Sequence, residues 1–351
     1  MSGEADFKIV RPRTVTDALL TSTTVPEAVV ATYAGGTTYA AGDRAGLAPV
    51  YGSPQIVYQS VQSGNIGHAQ SDTAWWKVVG NVYPPYTSGS SCGIGGIVSS
   101  ISANVHLLYE SLVAGNTGNP LTDATKWLNI GSTNARAMFD TTYGSQTTNA
   151  ESIVITITPG VLVTSVFLGN LDAVSVTVAQ TVSGYSNTVA LRTHPVLSWY
   201  DWYYEPLLTT SDVYFTIPPY ISGVLTITIS NPGSTASCGL CVIGQSATLG
   251  KTKWGVLGGI ISYSGTTTDT FGNTTFLPRA NAKKLSFDVY IPVGLETWAH
   301  KLLTEYTDMP LVFIGSSAYG MSMVYGYLGE WHVPINISGQ EPAPIEVRGL
   351  I

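Results

Sequence analysis

From about residue 150 to residue 231, apolar and polar residues alternate with a period of two, and that period decides the fold class. Ser152-Ile-Val-Ile-Thr-Ile-Thr158 alternates and stops at Pro159-Gly160. Val161–Leu168 and Ala173–Ala179 follow, then Val213–Ile217 before Pro218-Pro219 and Gly223–Ser230 before Asn231-Pro-Gly. Successive side chains of a strand point to opposite faces, so this period suits half-buried strands, and Gly and Pro punctuate them. Short strands at such spacing predict a jelly-roll-like β-sandwich over residues 132–248.

The rest of the chain differs in texture. Residues 1–35 form an N-terminal arm with few apolar anchors. Ile9-Val10 and Leu19-Leu20 are its main ones, the latter inside Thr14–Ser22, which suits one short helical turn. The arm has too little apolar surface for its own core and is expected to pack on another domain or chain. Residues 249–351 read as an α+β assembly domain with one helix on an antiparallel sheet. Lys284–Pro292, Pro310–Ile314, Met323–Leu328 and Pro344–Arg348 suit strands. Leu295, Trp298, Ala299, Leu302 and Tyr306 mark one apolar stripe of a helix over 295–306. The expected class is therefore mainly β: small aromatic-rich β modules, a sandwich and an α+β C-terminal domain.

Residues 36–131 carry an internal repeat. Val57–Gly80 aligns without gaps to Leu108–Gly131, and eight of the 24 positions are identical: Tyr58/Tyr109, Ser60/Ser111, Gly64/Gly115, Asn65/Asn116, Gly67/Gly118, Asp72/Asp123, Trp76/Trp127 and Gly80/Gly131. Each copy reads as a strand, a Gly-Asn-x-Gly loop and a tryptophan strand. In the first copy Thr37-Thr-Tyr-Ala-Ala-Gly-Asp43, Val57-Tyr-Gln-Ser60 and Trp76-Lys-Val-Val-Gly80 resemble the small chitin-binding type modules attached to chitinases. Nothing before Leu108 reproduces the Tyr-x-x-Gly-Asp turn, so the second copy matches only in its later half. The resemblance implies carbohydrate binding through exposed aromatic faces, on which sugar C–H groups stack. Tyr51, Tyr58, Trp75, Tyr109 and Trp127 are the candidates. Tyr58, Trp76, Tyr109 and Trp127 also suit the cores of two tiny domains, which need large aromatics. Trp75 is singled out because neighbours on a strand face opposite ways, so Trp75 and Trp76 cannot both point inward.

Composition narrows the function. Charged residues are 11% of the chain, below half the usual share of about 25%. Such a chain suits surfaces covered by neighbours, so a homo-oligomer in a larger assembly is expected. With a net charge of −7, no phosphate-neutralising stripe is present, and Lys8, Arg11, Arg13, Lys283 and Lys284 read as ordinary surface charge; no nucleic-acid partner is expected. Met1–Lys8 lacks the apolar run of a secretory signal. No uninterrupted apolar stretch approaches the roughly 18 residues of a membrane span, so no membrane insertion is expected.

Several near-motifs read as structure. Cys238-Gly-Leu-Cys241 lacks a second ligand pair for zinc and reads as buried small residues in a turn entering a strand. Gly244–Thr252 has five residues between its glycines where a phosphate-binding loop has four, and Trp254–Ser262 after it suits a strand rather than a helix. Trp199-Tyr-Asp-Trp-Tyr-Tyr-Glu205 reads as a strand covered on both faces. The five histidines are scattered, and no catalytic motif emerges, so no catalytic residue, metal or cofactor is expected.

Finally, Ile9-Val-Arg-Pro12, Thr14–Leu20, Pro26-Glu27, Asn134–Asp140, Gln146–Asn149, Thr268–Asn273 and Ile345–Leu350 resemble bacteriophage virion proteins of tails and baseplates. The resemblance implies a non-enzymatic structural protein, made in the host cytoplasm and placed in the virion, with other tail proteins as partners and a module offered to host-surface polysaccharide. The alternative is a glycan-degrading enzyme, a tail depolymerase or chitinase-like hydrolase, that carries a binding module.

Overall fold

The computed structural model describes residues 5–193, 198–204, 208–253, 255–334 and 342–350. Residues 1–4, Glu205 and Trp254 lie outside them. Strands β1 (Ala5–Arg13) and β2 (Leu20–Thr23) come first. Two three-stranded modules follow, β3 (Arg44–Gly46), β4 (Gln55–Ser60) and β5 (Trp76–Val82), then β6 (Ile97–Ser102), β7 (Val105–Ser111) and β8 (Trp127–Ser132). Next are β9 (Thr147–Ile157), β10 (Val163–Asp172), β11 (Ser175–Gln180) and β12 (Tyr185–Ala190). Helix α1 (Trp199–Tyr204) lies between the short strands β13 (Arg192–Thr193) and β14 (Leu208–Thr209). The middle closes with β15 (Val213–Tyr220) and the 28-residue β16 (Leu225–Thr252). The C-terminal part holds β17 (Leu257–Ser262), β18 (Gly265–Thr268), β19 (Thr274–Leu277), β20 (Asn281–Tyr290), helix α2 (Glu296–Glu305), β21 (Leu311–Ile314), β22 (Met323–Trp331) and β23 (Ala343–Gly349). The chain is mainly β, as the alternation predicts.

Strand β16 is the hub of the 13-stranded sheet, pairing with five other strands among the described residues. Along one edge it pairs first with β9 and then with β1. Along the other it pairs in turn with β11, β10 and β20. The sequence predicts a turn at Asn231-Pro-Gly, and the structure places a bulge there instead. Ser230 faces Ser152 while Thr235 faces Ala150, so residues 231–234 oppose Glu151 alone. Gly233 at φ 75° and Glu151 at φ 61° take the left-handed backbone that this needs. The bulge lets one strand leave the β2-β9-β16-β11-β12 layer and enter the β15-β10-β16 layer. Ile153, Ile155, Ile157, Val176, Val178, Phe215, Ile227 and Ile229 fill the space between them and are all fully buried. Cys238 and Cys241 belong to the same cluster, inside the strand rather than in a turn before it.

The arm residues Phe7, Ile9 and Val10 are at most 1% exposed, because β1 lies between β16 and β21. One turn, closed by the Leu20 amide on the Thr16 carbonyl at 3.1 Å, separates β1 from β2. From β16 the pairing runs through β1, β21, β22, β23 and β20 and returns to β16, a closed circuit of six antiparallel strands. Closure leaves no edge within the circuit. A single buried cluster takes Phe7, Leu249, Phe287, Phe313, Val324 and Ile345, one from each strand, together with Ala299, Leu302 and Leu303 of α2. The predicted helix stripe is thus rotated: Leu303 is buried while Leu295 and Trp298 are 43% and 41% exposed. Residues 248 and 249, on either side of the boundary suggested by composition, both lie in β16.

The aromatic run is the clearest departure from expectation. Trp199–Tyr204 is a helix, not a strand, and Trp199, Tyr200, Tyr203 and Tyr204 are 67–82% exposed. A helix brings Tyr200 and Tyr204 together four residues apart, with ring centroids 4.9 Å apart.

Two glycines show how tightly strands meet on β16. A Cβ at Gly244 would stand 1.9 Å from the Arg11 carbonyl oxygen, and one at Gly250 would stand 2.1 Å from that of Tyr290. Gly244→Ala is expected to lower stability by about 3 kcal/mol, the upper range for overpacking. Urea denaturation checks this, and an unchanged midpoint would mean that β1 does not press on β16 at this point.

Candidate carbohydrate-binding surface

Each module is built around one tryptophan. Trp76 is 1% exposed, and Tyr33 and Tyr39 meet it edge-on with centroids 5.6 and 5.0 Å away. Its indole N–H donates to the His68 carbonyl at 2.9 Å, and the Tyr33 hydroxyl donates to the same oxygen at 2.8 Å. The second module repeats the arrangement. Trp127 is 2% exposed, Tyr86 meets it edge-on at 5.8 Å, and both donate to the Asn119 carbonyl, at 3.1 and 2.7 Å. The repeated asparagines are buried staples: the Asn65 amide donates to Ser60 Oγ and the Trp75 carbonyl, and the Asn116 amide to Ser111 Oγ and the Lys126 carbonyl. The Asp72 and Asp123 carbonyls accept the amides of Trp76 and Trp127. The loop glycines Gly64, Gly67, Gly115 and Gly118 all have φ between 63° and 77°, a region closed to most side chains.

The second module is complete, which its sequence hides. Tyr39 bridges to Asn65, and Cys92 bridges in the same way to Asn116. The Gly42 and Gly95 amides donate to the Ser60 and Ser111 carbonyls, both at 2.8 Å. Cys92 therefore stands where the first module has Tyr39, and Gly96 where it has Asp43. Tyr33/Tyr86, Gly36/Gly89 and Gly42/Gly95 were the available signal. They sit 53 residues apart, whereas the later half of the repeat sits 51 apart, so an ungapped comparison loses them. The difference lies between β3 and β4, where the second module makes a tight β6–β7 hairpin with Asn104 at φ 60°.

These placements sort the sequence candidates. Trp127 presents no face to solvent. Tyr58 is half-buried against the first core and Tyr109 against the second. Tyr51 is half-buried too, but packs on the second module, where its hydroxyl accepts from the Thr87 amide at 3.0 Å and donates to the Thr87 carbonyl at 3.1 Å. Trp75 lies in the turn before β5, half-buried against the same core as Trp76, and its ring stacks on His68 with centroids 3.8 Å apart and planes 11° from parallel. His68 Nδ1 lies 3.7 Å from Asp72 Oδ2, which steadies the imidazole. Val61, whose amide donates to the Trp75 carbonyl, is 48% exposed beside it. The second module has Lys126 and Asn119 at the positions of Trp75 and His68. The stacked pair is therefore no part of the shared architecture. A flat aromatic pair with a carboxylate within reach can stack on a sugar ring and hold its hydroxyls.

A charged joint sets the modules on the sandwich. His106 Nε2 and Nδ1 face Asp17 Oδ1 and Glu27 Oε1, both at 2.7 Å. Arg136 pairs with Asp17, and Thr133 Oγ1 donates to Glu27. Asp17 and Asn104 exchange amide-to-side-chain hydrogen bonds at 2.9 Å each way. The Asn104 amide, then His106 and Arg136, hold the Asp17 carboxyl below its ordinary value of 3.8.

Elsewhere, burial pushes the Cys238 thiol up to about 12 and the Cys241 thiol well above its usual range, so neither is a ready nucleophile. Gly244–Thr252 is strand throughout, without a helix start to receive phosphate. Among the described residues, no group of three His, Cys, Asp or Glu is placed to hold a metal, and no helix is long and apolar enough to cross a membrane.

No protein-family model and no curated protein matches the chain. Among solved structures, a selenomethionine-labelled point mutant of chitosan-binding module 1, derived from a chitosanase/glucanase of Paenibacillus sp. IK-5, is similar over 32% of this chain and 84% of that one. The identity is 17% and the TM-score 0.21. A score that low leaves fold and ligand to this chain's own geometry.

Trp76→Ala is expected to cost the first module about 3–5 kcal/mol, the usual range for emptying a buried aromatic site, whereas Trp75→Ala stays within about 1 kcal/mol. Near-UV circular dichroism with thermal melting reads both, and equal losses would contradict the deeper burial of Trp76. Acid acts on the joint. A carboxylate whose folded value is depressed adds stability above its unfolded value and loses it as pH falls through the folded one. Melting temperature should therefore drop more steeply below about pH 4 in the native chain than in Asp17→Asn, and parallel profiles would remove Asp17 from the joint.

Proposed function

We propose that this chain is a non-enzymatic structural component of a bacteriophage tail or baseplate that binds host-surface glycan through its first module. The stacked Trp75–His68 pair carries the binding reading, because it is a half-buried aromatic pair at the edge of the first core that the second module lacks. The segments quoted from the sequence carry the virion reading. Oligomeric assembly has its own support. Strand β17 pairs only with β20 among the described strands, and its Leu257 and Ile260 are 71% and 74% exposed. The adjoining β18–β19 hairpin leaves Phe271 and Phe276 89% and 63% exposed. A neutral edge strand without Lys or Pro invites pairing with another chain, and large apolar side chains clustered at a surface mark contact sites. In this reading the closed circuit and sandwich form the body of the assembly, and the modules stand outward on their charged joint.

Two measurements test the two halves. Host cells, purified lipopolysaccharide, capsule and chitin are incubated with native chain and with Trp75→Ala. Retention should fall about tenfold in the variant, the effect of about 1.4 kcal/mol, with the melting temperature held. Retention of native chain by none of these sinks glycan binding, and equal retention sinks the Trp75 contact. Antibody labelling of purified particles should find the chain in fixed copy number, and its absence from particles sinks the virion half.

A further inference from the structure

A second polar site lies far along the chain from the modules. A cavity of about 280 Å3 opens where the ends of β10 and β15 meet β20, β22 and β23, lined by Tyr143, Asn170, Asp212, Asn281, Lys283 and Tyr325 among others. Asp212 is 3% exposed. Its Oδ1 accepts the Tyr143 hydroxyl at 2.7 Å and the Asn170 amide at 3.2 Å. Its Oδ2 accepts Lys283 Nζ. A carboxylate oxygen has two lone pairs, so Oδ2 keeps one. The Lys283 ammonium is 42% exposed on its side chain and keeps two N–H donors. Tyr325 is 6% exposed, and its hydroxyl has no hydrogen-bond partner among the described residues. Burial, with the Asp140 charge nearby, pushes that hydroxyl up to about 12, so it stays protonated. That hydroxyl is not sealed from solvent, so a water or a ligand in the cavity can satisfy it.

The geometry points to this cavity as a binding site for one neutral polyhydroxylated ring, a monosaccharide. One hydroxyl can donate to Asp212 Oδ2 while accepting from Lys283 Nζ, which neither a bare carboxylate nor an ammonium group can do. A second hydroxyl reaches Tyr325. The paired charges of Asp212 and Lys283 cancel, so a net charge on the ligand meets an opposing charge with no matching gain. The volume lies just below the roughly 300–1,000 Å3 of drug-sized ligand pockets, and suits one sugar ring rather than a chain. This site is independent of Trp75.

The test is saturation-transfer NMR on the full chain with glucose, galactose, mannose, rhamnose and N-acetylglucosamine, with glucuronate and glucosamine as charged controls. At least one neutral sugar should receive saturation and raise the melting temperature. Tyr325→Phe should fold normally, because it removes only an unpaired hydroxyl, and should weaken that sugar at least fivefold. Trp75→Ala should leave it unchanged. Transfer to none of the neutral sugars, equal transfer in Tyr325→Phe, or equal transfer to the charged controls overturns the proposal. Signals lost in Trp75→Ala but kept in Tyr325→Phe overturn it as well, and assign the sugar to the module instead.

Discussion

A 28-residue strand cannot satisfy its backbone N–H and C=O groups inside a packed body unless neighbouring strands cover its edges along its length. In β16 that cover comes from five different strands, and the remainder of the body is arranged around it. Its first part needs β9 and β11 beside it, its middle needs β10, and its end needs β1 and β20. The sandwich core and the core of the six-stranded circuit are consequently built on one backbone. Gly244 and Gly250 mark where neighbouring carbonyls come too close for any side chain. The distant N-terminal strand, 245 residues from its partner at the Asp6–Lys251 pair, is the piece that completes the circuit. Such long-range pairing pays its loop-closure entropy before its contacts reward it.

In the modules, repetition and function separate. Every identity between the two copies answers to a structural demand: a tyrosine half-buried against the core, indole burial, a carbonyl that receives two donors, an asparagine staple with its serine, or a left-handed glycine. Residues that two copies share in this way hold the fold, whatever the ligand. The Trp75–His68 pair belongs to one copy alone, and therein lies its claim to a role beyond the fold. The same logic removes Trp127, whose indole is enclosed by Tyr86, Val98 and Cys92.

Two polar clusters join the parts. His106 between Asp17 and Glu27 ties the second module to the sandwich, and Asp212 between Tyr143 and Lys283 ties sandwich to circuit. Both clusters place ionised groups where the surroundings are partly dry, and neither leaves its carboxylate alone. That is the condition under which a charged contact fixes orientation rather than weakening the fold. Apolar surface left bare on β17 and the following hairpin lies at the opposite extreme, with Phe271 89% exposed.

By itself the sequence determined the local periods and with them the class: strands at Ser152–Thr158, Val161–Leu168, Gly223–Ser230 and Lys284–Pro292, the single long helix, and the tryptophan repeat. Period, Gly and Pro are properties of neighbouring residues, so they are legible without a fold. Partners are not. That β16 runs on past Asn231-Pro-Gly, that β1 enters the sheet, that Trp199–Tyr204 coils, and that Cys92 fills the place of Tyr39 each depended on what stood beside the segment in space. The candidate site divides the same way: the repeat marked out the tryptophans, while the place of Trp75 in the turn before β5, its stacking on His68 and the meeting of Asp212, Lys283 and Tyr325 were decided by tertiary structure alone. Hydrogen-bonding edges and apolar faces are satisfied by distant segments, and no local pattern encodes which.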